Sequence, residues 1–96
     1  GTTGAPKGAM ISDHNVIRNL EMVDEIFGKN RDDRVLCVLP MFHAFALQGI
    51  VNASIRNRAT VVVQTKFDLA PVVDALVNQR ITRFLGVPTM YFYLLK

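Results

Sequence analysis

Short, unbroken apolar runs alternate along this chain with longer amphipathic patterns, and this alternation restricts the possible folds more than any other feature. Residues 35–39 are all apolar and end at Pro40, and residues 59–63 and 82–87 form two further runs. A run with apolar residues on both faces is typical of a strand that helices cover on both sides. We also interpret the shorter apolar run at residues 9–11 as a strand.

The pattern predicts a first helix between the loop at the start of the chain and residue 28. Ser12 or Asp13 can accept hydrogen bonds from the free amides of the first turn, and Gly28 can end the helix. Steps of four, three and four residues place a set of apolar side chains on one helical face. This set is Val16, Leu20, Val23 and Phe27.

Three more helices follow between and after the apolar runs. Residues 43–56 suit a helix, although Gly49 weakens the pattern, and residues 89–95 begin another. Asp68 caps the helix between them, in which Pro71 is tolerated because it falls in the first turn. The stripe that we expect to be buried there is Val72, Val73, Leu76 and Val77. Strands that alternate with helices of about a dozen residues predict an α/β fold with a mostly parallel sheet.

Composition excludes several classes of protein. The chain has 96 residues, 50% of them hydrophobic, which suits one small domain rather than a disordered tail. No apolar run approaches the roughly 20 residues of a membrane helix, and the net charge of +3 is too mild for a nucleic-acid face. The single Cys37 cannot form an internal disulfide. We therefore expect no membrane span, no nucleic-acid partner and a cytoplasmic location.

The ends of the chain suggest a piece of something larger. It starts at Gly1 within a loop sequence and stops at Lys96 within an apolar helical pattern. We expect residues 1–96 to form a single, partial domain.

Residues 1–8 read Gly-Thr-Thr-Gly-Ala-Pro-Lys-Gly and hold the strongest chemical signal. Glycines let backbone amides approach a phosphate closely, while the hydroxyls and the lysine add further donors. The order is not that of a Walker A loop, because Gly8 stands after the lysine in place of Ser or Thr. Composition alone does not decide between a phosphate-binding loop and an ordinary exposed Gly-Pro turn.

This loop resembles the signature loop of the adenylate-forming (AMP-binding) enzymes, which include acyl-CoA synthetases, luciferases and the adenylation domains of peptide synthetases. It matches the family pattern from the first glycine onward. The Leu-Pro-x-Phe-His segment of the family resembles residues 39–43, with Gly49 following, and residues 67–89 resemble the helix and strand that end in Gly-Val-Pro. The resemblance implies that the chain is a fragment of the large N-terminal domain of such an enzyme.

The resemblance implies a two-step ligase. A carboxylate attacks the α-phosphate of ATP, assisted by Mg²⁺, and pyrophosphate leaves; coenzyme A then displaces AMP from the acyl-adenylate. By position in the motif, the phosphate-binding residues are Gly1, Thr2, Thr3, Gly4, Lys7 and Gly8. Lys7 is a catalytic candidate because it follows the charge that builds on the phosphates in the transition state. No set of metal ligands is recognisable in the chain itself.

The segment at residues 42–45 has two interpretations. Beside a proline and two phenylalanines, His43 can be a packed or capping residue. By the resemblance, His43 is instead catalytic and orients or polarises the acid, while Phe42 or Phe45 lines the acid's pocket. A nucleophilic role is disfavoured, because no Ser or Cys stands in an activating arrangement.

Local composition favours one branch of the family. Residues 41–49 contain no acidic side chain, whereas peptide-synthetase domains typically place an Asp there for an amino group. We therefore expect an acyl-CoA synthetase for a plain carboxylic acid, preferably a fatty acid. The alternatives are an aryl-CoA ligase, a luciferase-like enzyme or a peptide-synthetase domain.

A further alternative concerns the 96 residues alone. Open strand edges and uncovered helix faces favour an inactive fragment that self-associates as a homo-oligomer.

Other polar and aromatic residues are expected to be structural. Cys37 lies in an apolar run and is assigned to the core. Arg56 and Arg58 flank a turn and are expected to be solvated. Glu21, Asp24 and Glu25 lie on a predicted helix and form no recognisable paired-carboxylate site. The aromatic cluster at residues 90–94 is expected to pack in the core rather than to line a ligand pocket.

Overall fold

A three-stranded parallel sheet lies at the centre of the computed structural model, which describes residues 4–28 and 30–96. Strand β1 (Arg34–Cys37) is central, with β2 (Thr60–Val63) on one side and β3 (Arg83–Phe84) on the other. Val35 pairs with Val61 of β2 and with Arg83 of β3. The predicted α/β fold class with parallel strands is confirmed.

Helices connect and cover the strands. Helix α1 (Asp13–Phe27) precedes β1, and α4 (Leu69–Asn78) and α5 (Pro88–Leu94) lie on either side of β3 in sequence. Between β1 and β2 the chain forms one helical segment, made of α2 (Ala44–Ala46), a π-helical stretch (Leu47–Asn52, the π segment) and α3 (Ala53–Asn57).

The side chains of β1 alternate between two hydrophobic clusters, so that helices cover both faces of the strand. Val35 and Cys37 pack with Ala46 and Ile50 on one face. The other cluster contains Leu36, Val38, Val72 and Ala75. Both faces of the 35–39 run are therefore buried, as its unbroken apolar composition predicts. Full burial of such a side chain contributes about 1.5–3 kcal/mol, which makes β1 the centre of the core.

Helix α1 begins and ends where the sequence predicts. The hydroxyl of Ser12 accepts from the amide of Asn15 at 3.1 Å, and the side chain of Asn15 accepts from the amide of Ser12 at 3.0 Å. At the other end Gly28 adopts a positive φ of 78°, which a residue without a Cβ reaches at little cost. Both cap predictions are confirmed.

Three local predictions are wrong. Residues 9–11 form no strand; Met10 and Ile11 are exposed, and an isolated segment without a hydrogen-bonding neighbour gains nothing from the extended state. The strand predicted over residues 82–87 is only Arg83–Phe84. In α4 the buried residues are Val72 and Ala75, while Val73 and Val77 point outward. Adjacent positions on a helix lie about 100° apart, so one residue of each adjacent pair, Val73 beside Val72 and Val77 beside Leu76, leaves the core.

Candidate functional site

The loops that follow the three strands meet at one edge of the sheet, which we call the carboxyl edge. Parallel strands end on the same side, and open α/β sheets bind ligands outside the carboxyl ends of their strands. After β1 the chain reaches Pro40 and His43 here, and after β3 it reaches Gly86. The candidate acid-binding segment and the Gly-Val-Pro segment therefore lie at this edge.

The start of helix α1, which follows the candidate phosphate loop in sequence, lies at the same edge. The side-chain amide of Gln48, early in the helical segment after β1, donates to the carbonyl of Val16 in the first turn of α1 at 2.9 Å. At its far end the carbonyl of Phe27 accepts from Arg83, the first residue of β3, at 2.7 Å. Helix α1 thus runs from the carboxyl edge to the opposite, amino edge of the sheet. The loop that enters α1 approaches from the carboxyl edge.

The described part of that loop, residues 4–8, is exposed and forms neither helix nor strand. Gly1, Thr2 and Thr3 lie outside the described residues, so the structure leaves their predicted phosphate contacts untested. Gly4 has a φ of 77°, in the left-handed region that favours glycine. Lys7 and Gly8 are exposed. A Cβ added to Gly4 or to Gly8 would meet no atom within 4 Å, so this part of the loop is open to a ligand.

His43 caps the helical segment that leaves the carboxyl edge. Its Nδ1 accepts from the amide of Phe45 at 3.3 Å, and its own amide donates to the carbonyl of Pro40 at 3.0 Å. A neutral imidazole that accepts at Nδ1 has its proton on Nε2, so the Nε2–H is directed away from the helix backbone and can donate to another group. The side chain is exposed. The capping role and a ligand-binding role are therefore compatible.

The two phenylalanines beside His43 have different surroundings. Phe42 is 88% exposed and does not line a described cavity. Phe45 lines an apolar groove of about 630 Å³ between α1, the helical segment after β1 and the segment after β3, which we call the outer groove. The structure therefore joins Phe45, but not Phe42, to a space that could receive a ligand.

A smaller space of about 240 Å³, the inner cavity, adjoins the outer groove and lies toward the amino edge. Five residues line both spaces: Val23, Phe27, Gly49, Phe84 and Leu85. Of the two spaces, the inner cavity is the one that is also lined by Asp33 and Arg83, near the start of the strands. The two spaces therefore lie side by side along β3, and we call them together the passage.

Tyr91 of α5 holds the wall of the outer groove. Its hydroxyl donates to the carbonyl of Phe84 at 2.9 Å and accepts from the amide of Gly86 at 3.1 Å. The ring packs edge-on against that of Phe84, with centroids 5.4 Å apart. The expectation that residues 90–94 pack in the core is thus wrong for Tyr91, which is 41% exposed and lines the groove, and for the exposed Phe92 and Tyr93. Met90 and Leu94 do pack against the core.

Two polar clusters lie at the amino edge, and no motif in the sequence predicts them. Asp24 is buried and accepts from Arg56 at 3.1 Å and from Asn57 at 2.7 Å, so Arg56 is not merely solvated as predicted. Asp33 accepts from Thr82 at 2.8 Å and pairs with Arg83. Each cluster joins residues more than thirty positions apart, and no spacing within the chain identifies such pairs.

Cys37 lies fully buried at the end of β1, as predicted for a core residue. Burial raises the pKa of its thiol, because a thiolate would lose its hydration there. A hydrogen bond with the backbone of Leu39 opposes this effect on the pKa to a smaller extent. Cys37 is therefore not suited to act as a nucleophile at neutral pH.

Within the described ranges, no three His, Cys, Asp or Glu side chains come together as a metal site. None of the helices formed there is both long and apolar enough to cross a bilayer.

The sequence and structure are similar to those of known CoA ligases. The family model described as "AMP-binding enzyme" matches residues 1–96. 4-Coumarate–CoA ligase 3 of Oryza sativa subsp. japonica is 36% identical over 88 aligned positions, gaps included, and the match covers 85% of this chain and 16% of that protein. Long-chain-fatty-acid–CoA ligase of Bacillus subtilis is 35% identical over 97 aligned positions, and the match covers 99% of this chain and 17% of that protein.

Among solved structures, o-succinylbenzoate CoA synthetase from Bacillus subtilis, in complex with ATP and magnesium, has a TM-score of 0.87 and 30% identity. The match covers 99% of this chain and 20% of that one. The chain thus spans between about one sixth and one fifth of the proteins that it resembles. Because the family model matches every residue and the parallel fold agrees, the chain belongs to the AMP-binding, adenylate-forming enzyme family.

Proposed function

We propose that this chain is the phosphate-loop and acid-pocket segment of an ATP-dependent acid–CoA ligase. In the first step a carboxylate oxygen bonds to the α-phosphorus of ATP, the bond to the β-phosphate oxygen breaks, and pyrophosphate leaves. In the second step the sulfur of coenzyme A bonds to the acyl carbon and AMP leaves. The main support is the convergence of the loop before α1, His43 and an apolar groove at one edge of the sheet.

On the ATP side, the loop supplies positive charge and free amides. Lys7 is exposed on an open chain, so its ammonium group can follow the phosphates as charge moves from the α- to the β-phosphate. The positive φ of Gly4 suits a loop that turns its amides toward an anion. Gly1, Thr2, Thr3 and Gly8 complete the proposed set. Mg²⁺ bound to ATP would neutralise phosphate charge, and we assign it no ligand from this chain.

On the acid side, His43 binds the carboxylate and the outer groove binds the apolar part of the acid. The Nε2–H of His43 donates to the carboxylate and orients it toward the α-phosphate, while Nδ1 stays bound to the helix. Phe45 lines the groove that takes the apolar part of the acid, whereas exposed Phe42 is given no contact with the acid. Because residues 41–49 have no carboxylate, the site has no local partner for an α-amino group.

We propose a fatty acid as the substrate, because the groove is mostly apolar and adjoins the inner cavity. An aryl acid is the second candidate. The aromatic walls formed by Phe45, Phe84 and Tyr91 favour it.

The location and assembly of the protein are part of the same proposal. A buried, unmodified thiol at Cys37 suits the reducing cytoplasm. We expect the isolated 96 residues to have no turnover and to self-associate, since many large apolar side chains are exposed.

The test is acid-dependent exchange of pyrophosphate into ATP, measured with the full-length protein that contains this segment. Lys7→Ala should slow exchange about 10²–10³-fold at saturating acid, because one charge-stabilising donor is lost. His43→Ala should raise the KM for the acid about tenfold, with a smaller effect on the KM for ATP. The control variants Lys96→Ala and His14→Ala remove an ammonium group and an imidazole at other exposed positions. They should leave the exchange rate and the KM for the acid unchanged.

Two results would contradict the proposal. Exchange that depends on amino acids only would place the protein in another branch of the family. Rates for Lys7→Ala equal to those of Lys96→Ala would remove the loop from the site.

A further inference from the structure

Gly49 lies at the junction between the outer groove and the inner cavity. It is in the π segment, and it lines both spaces. π-Helical turns are rare, and they occur frequently at functional sites. The position is therefore well placed to control what passes from one space to the other.

The space around Gly49 admits little beyond a methyl group. A Cβ at this position would lie 3.6 Å from Cδ2 of Phe45 and 3.8 Å from Cδ2 of Leu85. These are ordinary van der Waals distances, so alanine would fit without displacing either side chain. Because Phe45 and Leu85 already touch the first added carbon, a longer side chain would have to extend into the passage.

The passage is long enough for a substantial tail. Gly86 lines its outer end and Arg83 its inner end, three residues apart along the chain. At about 3.3 Å per extended residue this corresponds to roughly 10 Å.

The described residues at the inner end offer no free cation to a second carboxylate. Among the described lining residues, the cation is Arg83, which already binds Asp33 and the carbonyl of Phe27. Asp24, which also lines the inner cavity, is held by Arg56 and Asn57. A tail that ends in an uncharged group suits this end better than a second acid group.

We propose that Gly49 determines how long a monocarboxylic acid the enzyme accepts, because its missing side chain lets the tail pass from the outer groove into the inner cavity. This inference rests on the proposed function. It adds that the preferred acids are monocarboxylates whose uncharged tails extend past Gly49.

The experiment uses the full-length protein and a series of straight-chain acids from butanoate to dodecanoate, with kcat/KM measured for each. Gly49→Leu should lower kcat/KM at least about tenfold for the long acids, while the shortest retain most of theirs. Gly49→Ala should shift the profile in the same direction but less. Ala70→Leu adds three carbons, against four in Gly49→Leu, at an exposed position of α4 and should leave the profile unchanged.

A second variant distinguishes a blocked passage from misfolding as the cause of activity lost in Gly49→Leu. Leu85→Ala removes the opposite wall, so the double variant Gly49→Leu/Leu85→Ala should regain activity with long acids. ATP-induced thermal stabilisation of each variant checks that the nucleotide site is intact.

The outcomes distinguish the two proposals. If the wild-type protein activates no monocarboxylate, the proposed function fails and this inference fails with it. If it does, but Gly49→Leu changes all chain lengths equally or none, only the role of Gly49 is overturned. Higher activity with diacids than with monoacids would also overturn it.

Discussion

Cys37 shows how a single residue acquires its properties from its place in the sheet. It ends β1, the strand whose faces are both covered, and its side chain has no exposure to solvent. Ionisation would place a charge in this apolar setting, so the pKa of the thiol is raised. Cys37 is therefore a small core side chain that happens to be ionisable.

We expect the stability of the protein to fall at alkaline pH partly through Cys37. Above about pH 8.5 the thiol ionises in the unfolded chain but stays protonated in the folded one, so the unfolded state binds fewer protons. The free energy of unfolding should then decrease with rising pH, by at most about 1.4 kcal/mol per pH unit from this group. Denaturant titrations from neutral to alkaline pH should show this decrease in the wild type.

The comparison for that prediction is Cys37→Ala. The variant should be less stable at neutral pH because of the cavity, but it should lack the thiol's contribution to the slope, so the difference should shrink as the pH rises. Free energies of unfolding that change equally with pH in the two proteins would contradict a raised pKa of Cys37. Rapid labelling of the thiol in the native protein would contradict its burial.

At the scale of elements, three side chains hold α1 against the rest of the fold. Gln48 binds its first turn, Asp24 reaches across to Arg56 and Asn57, and Arg83 binds its last carbonyl. Each contact reaches from α1 to the helical segment or to β3, the elements that also border the passage. The position of α1 therefore sets the width of the groove.

Removing the charge at Asp24 should destabilise the protein. Asp24→Asn leaves Arg56 without its carboxylate in a largely buried place, and we expect a loss of about 1–3 kcal/mol because the arginine is partly solvated. Urea unfolding measures the change. Glu21→Gln on the same helix is the control, since its pair with Arg18 is exposed and should contribute less than about 0.5 kcal/mol. Equal losses for the two variants would show that Asp24 does not hold α1.

The whole molecule has an unusually apolar surface for 96 residues. Strands β2 and β3 each pair only with β1 within the described part of the chain. Large apolar side chains are exposed on several elements; among them are Met10, Ile26, Val77 and Leu95. Open edges and apolar faces favour association with other chains.

We expect the isolated 96-residue chain to associate in a concentration-dependent manner, because association covers these faces. Sedimentation velocity over a wide concentration range should show species larger than 10.7 kDa. Ile26→Lys/Val77→Lys, which places charges on two exposed faces, should shift the distribution toward the monomer while circular dichroism stays the same. A wild-type chain that stays monomeric at high concentration would contradict this.

Features set by neighbouring residues could be predicted from the sequence alone. The caps of α1 at Ser12 and Gly28, the burial of Cys37 and the parallel α/β arrangement each depend on local chemistry or on a periodic pattern, and all are confirmed. The family followed from three short motifs, which the family model confirms over the whole chain. The roles of Lys7, His43 and the loop residues stay predictions, since position in a motif implies a contact without measuring it.

Only the tertiary structure decided which residues meet across the fold. The burial of Ala75 instead of Val73, the pairing of Asp24 with Arg56 and the passage beside Gly49 all depend on how helices rotate and pack against β1. The burial of a side chain and the width of a groove depend on atoms contributed by distant parts of the chain. A one-dimensional pattern holds the periodicity of each element but not its rotation or its neighbours, and these neighbours determine the shape of the site.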